Sequence, residues 1–418
     1  MKFTKTLIAA SLVLVSADSF AAAFQLSEQN ASGLGRAYAG EASIADDASV
    51  VARNPALMSL FKEKQISVAG IAVLPDVSLK GTDTNNGMDP SVLNNDSIAP
   101  NAIVPAGYFT MPVNDKVSVG FGAFSNFGLA TEFNGDYAAG QIAGETEIVT
   151  VNLNASVAYK VTEQFSFGIG LNYIYADATI IRKFGASPTP IPASTDAVHL
   201  EGDDTGLGLN LGLMYQLDEN SRFGFNYRSE TDITFEGTFS SELPAALGGT
   251  EGASIPGSVE ITLPAIAEFS GSHQLDEKLG LHYSVMWTGW SSFDKLEADI
   301  GAPIPAFTKE ENYSDSMRYA IGSDYQYSEN LLLRAGVAFD ESPADKNHMS
   351  ISIPDTDRFW FSFGGNYAID QHSDFDLGVS VLRGKTQNFT ETDKLGQQWS
   401  FESKGHAVLV GAQYNYRF

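Results

Sequence analysis

The polar and apolar positions of this chain alternate over long stretches. In "VTVNLNASVAYK", Val149, Val151, Leu153, Ala155, Val157 and Tyr159 share one face, with Thr150, Asn152, Asn154 and Ser156 opposite. "FSFGIGLNYIY" sets Phe165, Phe167, Ile169, Leu171, Tyr173 and Tyr175 against Ser166, Gly168, Gly170 and Asn172, and "LGLNLGLMYQL" repeats the scheme. A period of two marks half-buried antiparallel strands. The composition of the faces says more. One is bulky and apolar; the other is Gly, Asn, Ser, Thr and Gln over about ten residues, as expected of a strand with lipid on one side and a polar lumen on the other.

Tight turns such as Gln216–Arg222 and His273–Gly280 alternate with the long stretches Gly81–Pro100, Gly185–Asp204, Gly237–Pro256 and Glu297–Asn312. Short turns on one rim and long loops on the other are the asymmetry of outer-membrane barrels. The pattern yields fourteen candidate strands between about Lys64 and Phe418, ending in "LVGAQYNYRF" with a terminal phenylalanine. That last strand reads as a signal for the barrel assembly machinery.

The stretch Ser32–Phe61, "SGLGRAYAGEASIADDASVVARNPALMSLF", has no such period. It is rich in Ala and Gly and carries Arg36, Glu41, Asp46, Asp47 and Arg53. A barrel of this size approaches those that leave an aqueous channel. A compact charged segment ahead of the first strand is therefore expected to fill the lumen. Within it, Asn54-Pro55-Ala56 reads as a helix start, with Asn capping and Pro at the first helical position. The fold expected is all-β: a 14-stranded antiparallel transmembrane β-barrel with a small, partly helical N-terminal plug, or hatch. Its parts are 1–21, 22–63 and 64–418.

Residues 1–21 look like a secretory signal peptide. Lys2 and Lys5 precede an apolar run from Leu7 to Val15, and Ser19 and Ala21 supply small residues for cleavage. The 418 residues include no cysteine, 39 glycines and 27 phenylalanines, and the formal net charge is −26. Such acidity, with no basic stripe, excludes a nucleic-acid partner. Disulfides and thiolate metal sites are excluded as well.

The sequence resembles the FadL family of outer-membrane long-chain fatty acid transporters, whose relatives also carry aromatic hydrocarbons. The matching pieces are "AFQLSEQNASGLGRAYAGEASIADDASVVARNPAL", "SNFGLATEFN", "SISIPDTDRFW" and the last strand. The resemblance implies passive uptake of long-chain fatty acids, or alternatively of aromatic hydrocarbons, across the outer membrane of a Gram-negative bacterium. It places the hatch motif at Asn54, Pro55 and Ala56. It assigns Arg182 and Lys309 to the ligand head group, and it gives strand three a kink at Asn126, Phe127 and Gly128 that opens the wall sideways. Phe24, at the mature N-terminus with Ala22 and Ala23, becomes a gate under the pocket. The chemistry agrees: a buried tail gains about 0.8 kcal/mol per CH₂, while the carboxylate that loses its hydration needs a cation or donors.

An outer-membrane hydrolase would need a nucleophile beside a histidine. His199, His273, His282, His348, His372 and His406 are scattered, and no nucleophile motif accompanies them. No two histidines have metal-ligand spacing, and the acidic run Glu201–Asp204 reads as a solvated loop. No phosphate-binding loop or cofactor motif occurs. The sequence therefore points to no enzyme, no metal and no cofactor. Expected partners beyond the hydrophobic cargo are outer-membrane lipid and lipopolysaccharide, with a phage-receptor role open to the exposed loops.

Overall fold

The computed structural model describes residues 23–301, 307–345 and 347–418; the expected signal peptide and Ala22 lie outside the described residues. The strands are β1 (Gln65–Asp83), β2 (Ala102–Pro112), β3 (Val117–Phe124 and Gly128–Glu132), β4 (Gly144–Lys160), β5 (Phe165–Lys183), β6 (Asp196–Gln216) and β7 (Ser221–Arg228 and Thr231–Ser240). They continue as β8 (Ile255–Leu263 and Ile266–Gln274), β9 (Leu279–Thr288 and Lys295–Asp299), β10 (Phe307–Glu310 and Ser316–Ser328), β11 (Leu331–Asp340) and β12 (Arg358–Ala368). The last two are β13 (Ser373–Gly384 and Gln387–Thr392) and β14 (Gln398–Arg417). Each pairs antiparallel with its neighbours, and β14 closes on β1 from Gln65↔Arg417 to Gly81↔Phe401. The result is a closed 14-stranded antiparallel β-barrel. No described helix is long and apolar enough to cross a membrane.

Along each strand the alternation changes sense. In the lower part of β5, Phe167, Ile169, Leu171, Tyr173 and Tyr175 are exposed on the outer wall, and Ser166 and Asn172 are buried inside. From Ile174 onward the inward positions are Ile174, Ala176, Ala178 and Ile180, and beyond Tyr175 the outward ones include Asp177 and Thr179. β6 does the same: Leu207 to Leu213 point outward in the lower part, whereas Val198 and Leu200 point inward above. The lower band presents apolar residues outward, as a lipid-facing wall requires, and higher up the outward positions are polar while the inward ones are apolar. This inversion corrects the expected loop at Gly185–Asp204, since Asp196–Asp204 continue β6 and turn Glu201 and Asp203 outward. Residues 237–240 and 255–256 likewise belong to strands, and Lys295↔Glu310 to Ala298↔Phe307 form a hairpin ladder.

The N-terminal segment sits inside the lower barrel. It consists of two short helices, α1 (Ala31–Leu34) and α2 (Val50–Arg53), and a 3₁₀ turn over Pro55–Leu60. Asn30 caps α1 by accepting from Gly33 N at 2.6 Å. Asn54 caps the 3₁₀ turn through Ala56 N at 3.0 Å, and its Nδ2 donates to Leu213 O of the wall at 2.8 Å. Charge fixes the plug too. Arg36 Nη1 meets Asp46 at 2.7 Å and Asp324 of β10 at 3.1 Å, and Arg334 of β11 reaches Asp46 at 3.1 Å.

The wall accommodates this plug with glycine. A Cβ added at Gly212 would overlap Asn54, one at Gly224 would overlap Ala42, and one at Gly336 would overlap Arg36. Gly168, Gly364, Gly378 and Gly411 touch Pro55, Gly35, Ala31 and Leu34 in the same manner. These positions lie on the face that the sequence pattern shows only as small and polar. They form a girdle against which plug backbone packs directly.

Candidate functional site

Strand β3 is broken between Phe124 and Gly128. Phe124 pairs with Asn152 and Gly128 with Val149, so Ser125, Asn126 and Phe127 oppose only Thr150 and Val151. The surplus residue is a β-bulge, which bends the strand. As a consequence the β2–β3 ladder stops at Gly107↔Ala123, and Ala102–Ala106 pair with β1 alone. Pro105, within that edge, has no N–H to offer. Above the break, Glu132 N donates to Ile98 O at 2.8 Å, so the chain after β1 bridges the gap at its upper end.

The N-terminus stitches onto this bulge. Leu26 N donates to Asn126 O at 2.7 Å, and Gly128 N donates to Phe24 O at 2.9 Å. Phe24 is fully buried and stands edge-on to Trp290 (4.6 Å), Phe293 (5.2 Å) and Phe127 (5.9 Å). The preceding residue, Ala23, has φ of 52°, a left-handed conformation that strains a residue with a Cβ. Its backbone is held by the carboxylate of Asp355, in the chain between β11 and β12, whose pKa burial raises. Phe24 and the Asn126–Gly128 kink, expected separately, thus form one contact.

Arg182, near the end of β5, and Lys309, in the first segment of β10, line the same solvent-connected recess of about 520 Å³ with Glu311, Glu391, Asp393, Lys394, Ser350 and Ser352. Arg182 Nη1 donates to the carbonyls of Glu145 (2.9 Å) and Ile181 (2.8 Å). Lys309 Nζ lies 2.9 Å from Glu391, whose other oxygen accepts from Ile351 N at 2.9 Å. Glu311 sits in the break of β10, above the lipid-facing band. Burial pushes its carboxyl up to about 8. Glu311 Oε2 and the Tyr313 hydroxyl are buried without a hydrogen-bond partner among the described residues. At neutral pH the recess therefore holds three cations (Arg182, Lys309 and Lys394), two carboxylates (Glu391 and Asp393) and one neutral acid, Glu311. Its net charge of about +1 suits a single monoanion.

A second recess, about 460 Å³, is lined by Ile148, Ala178, Ile180, Leu200, Phe235 and Ile261. It shares Thr146, Leu296 and Ile353 with the polar one. Most of its lining belongs to the apolar cluster that also contains Phe24, Phe127 and Trp290. The polar recess thus adjoins an apolar one that belongs to the same buried cluster as Phe24 and Phe127. Another recess of about 510 Å³ lies beyond the inner segment 341–357, against Val77, Leu382 and Phe389. Its buried cation Arg358 is already engaged with Asp355 (3.2 Å) and Asp340 (3.5 Å), which makes it the poorer anion site.

Sequence reasoning missed Glu311, Glu391 and Asp355. Glu311 was within reach, because Lys309 and Glu311 fall on one face of an extended chain. Glu391 and Asp355 arrive from β13 and an irregular segment, with no local signal. Expected loop residues divide: Val198 is buried in that cluster, Ile255 is half-buried in β8, and Leu247 is exposed at a loop tip. His406 is exposed on the outer face of β14.

The comparisons with known proteins agree with this architecture. A long-chain fatty acid transport protein of Salmonella typhi is 40% identical over 438 residues, covering 100% of this chain and 99% of the relative. A 47 kDa outer membrane protein of Pasteurella multocida is 43% identical over 436 residues, with the same coverage. The crystal structure of a Pseudomonas aeruginosa FadL homologue superposes with a TM-score of 0.86 at 23% identity, over 95% of this chain and all of that one. The Pseudomonas putida toluene transporter TodX shares the fold at a TM-score of 0.69 and 17% identity, over 94% of this chain and 99% of that one. The model of the family described as outer membrane protein transport protein (OMPP1/FadL/TodX) matches residues 12–418, and this chain is an outer-membrane β-barrel of that family.

Proposed function

We propose that this protein takes up long-chain fatty acids across the outer membrane by diffusion, holding the carboxylate at Arg182 and Lys309 and releasing the ligand sideways through the β3 kink. One observation carries the reading: the polar recess of net positive charge shares Thr146, Leu296 and Ile353 with an apolar recess, most of whose lining packs in one buried cluster with Phe24 and Phe127. That is the shape of an amphiphile with one charged end. The curated relatives at 40% identity are named for long-chain fatty acid transport.

The steps follow from the geometry. Ligand collects at the extracellular loops, where Leu247 and its neighbours are exposed. Arg182 can offer two N–H groups in a fork that matches a carboxylate. The tail enters the apolar recess, where a sixteen-carbon chain gains roughly 10 kcal/mol before costs. At its inner end it competes with Phe24 for the aromatic cluster. Displacing Phe24 withdraws the strap that pairs with Asn126 and Gly128, which shifts the population toward an open gap between β2 and β3. The hatch, held by Asn54-Pro55-Ala56 and its ion pairs, stays seated, so the exit lies in the wall.

The test is equilibrium binding of radiolabelled oleate and of toluene to the purified protein in detergent, for wild type and Arg182→Ala. Losing a charge-assisted contact of about 1.5–3 kcal/mol should weaken oleate roughly 10- to 150-fold. Toluene binding indifferent to Arg182, with weak oleate binding throughout, would instead favour aromatic hydrocarbons, for which the apolar recess alone suffices.

A further inference from the structure

On β13 and β14 the outward face changes from apolar to basic at one level, and on neighbouring β1 it turns charged, with Asp76 at that level and Lys80 beyond it. Along β13, Val379 and Val381 are followed by Arg383 and Lys385; along β14, Val410 and Val408 give way to His406 and Lys404; along β1, Leu74 is followed by Asp76 and Lys80. The register sets Arg383 directly opposite His406, and His406 opposite Asp76. Lys404 is then a diagonal neighbour of Arg383, about 7–8 Å away across the ladder. The rings of Phe339 and Phe359 pack with centroids 5.0 Å apart, tilted by 44°, beside this patch, and Lys385 Nζ lies 5.6 Å from the Phe339 ring.

The acids facing the patch are few. Asp357 holds Lys385 at 2.7 Å and Glu402 holds Lys404 at 3.0 Å, and Asp76 stands on β1. Arg383 has no ion pair or hydrogen bond among the described residues. The opposite side of the barrel is of contrary sign at the same transition. There Asp177, Asp203 and Glu236 stand side by side on β5, β6 and β7, with Glu145, Glu147 and Glu260 nearby. In a chain of formal charge −26, a basic rim confined to three strands is a local departure from the whole.

We infer that the β13–β14–β1 rim is a binding site for a phosphorylated, acylated glycolipid of the outer leaflet, of the lipid A class. Arg383 and Lys404 receive the phosphate, and the acyl chains lie along Val379, Val381, Val408 and Phe359. The lipid source follows from position, because the cations begin where the apolar band ends and the aromatic pair marks that boundary. Arg383 suits a phosphate oxygen pair through its planar fork. The acidic side repels the same headgroup, so the lipid seats on one face of the barrel.

Native mass spectrometry of the full-length protein in detergent tests this, with bisphosphorylated lipid A, its dephosphorylated form and inorganic phosphate as probes. Lipid A should bind, and the double variant Arg383→Gln/Lys404→Gln should lose roughly tenfold or more of that affinity while retaining wild-type oleate binding. Arg383→Lys should keep most of it. Equal binding of the dephosphorylated lipid, unchanged affinity in the double variant, or inorganic phosphate binding as tightly as lipid A would each overturn the proposal. Should the double variant fail to insert, the wild-type preference between the phosphorylated and dephosphorylated lipids decides the matter.

Discussion

Glu311 is the residue on which the charge of the polar recess around Arg182 and Lys309 turns. Its carboxyl is neutral below about 8 because burial removes it from water. The sign follows: below that value the recess keeps its net positive charge, and above it a further carboxylate faces the incoming ligand and cancels that charge. Oleate binding is expected to weaken as pH rises from 7 to 9. Glu311→Gln should remove that alkaline fall and leave the neutral-pH affinity little changed. A binding titration across this range checks both, and an identical fall in the variant would assign the effect elsewhere. Lys309 behaves differently. Its ion pair with Glu391 at 2.9 Å already satisfies it, so Lys309→Ala should cost less oleate affinity than Arg182→Ala.

At the scale of an element, strand β3 is where the proposed sideways exit would lie. Its bulge releases β2 from pairing, and the N-terminal strap fills the resulting notch through two backbone hydrogen bonds. Deleting one residue of Ser125–Phe127 would restore the count against Thr150 and Val151 and let β3 zip onto β2. Uptake should then fall roughly tenfold or more, with oleate binding retained, because the ladder hydrogen bonds close the gap. Gly128→Val should slow uptake as well. A wild-type rate in a correctly inserted Gly128→Val protein would remove that glycine from the mechanism.

Elements also show where sequence reading succeeds and stops. The lower strands were legible because lipid imposes one apolar face over ten residues, as in Phe167 to Tyr175. The upper strands were not, because Asp196–Asp204 place their carboxylates outward and their apolar residues inward. The phase of alternation persists while its meaning reverses, and Gly, Asp and Thr there look like a loop. The candidate site was legible in part. Arg182 and Lys309 entered through family resemblance and Phe24 with them, yet the pairing of Phe24 with the kink required coordinates. Contacts between residues one hundred positions apart leave no periodic trace.

For the whole molecule, the question is whether the plug can leave. The girdle that includes Gly212, Gly224 and Gly336 presses directly on plug backbone, and Arg36, Asp46, Asp324 and Arg334 lock it electrostatically. Overpacking such contacts costs about 1–3 kcal/mol or more and displaces the smaller partner. Gly224→Val and Gly336→Val are therefore expected to keep the barrel and dislodge the plug. In planar bilayers these variants should conduct ions where the wild type is nearly silent, and cells should become sensitive to large hydrophilic antibiotics. A silent Gly224→Val protein with native heat-modifiable mobility would show that the plug yields without leaving.

The same interlock constrains the order of birth. A plug that meets the wall with no clearance at strands from β5 to β14 cannot be threaded into a finished cylinder. The N-terminal forty residues must already be folded, with Arg36 facing β10 and β11, while the sheet is still open. The seam between β1 and β14 then closes last, around cargo that is part of the chain itself. A substitution that slows folding of the plug would thus appear as a defect in membrane insertion, long before any fatty acid is offered.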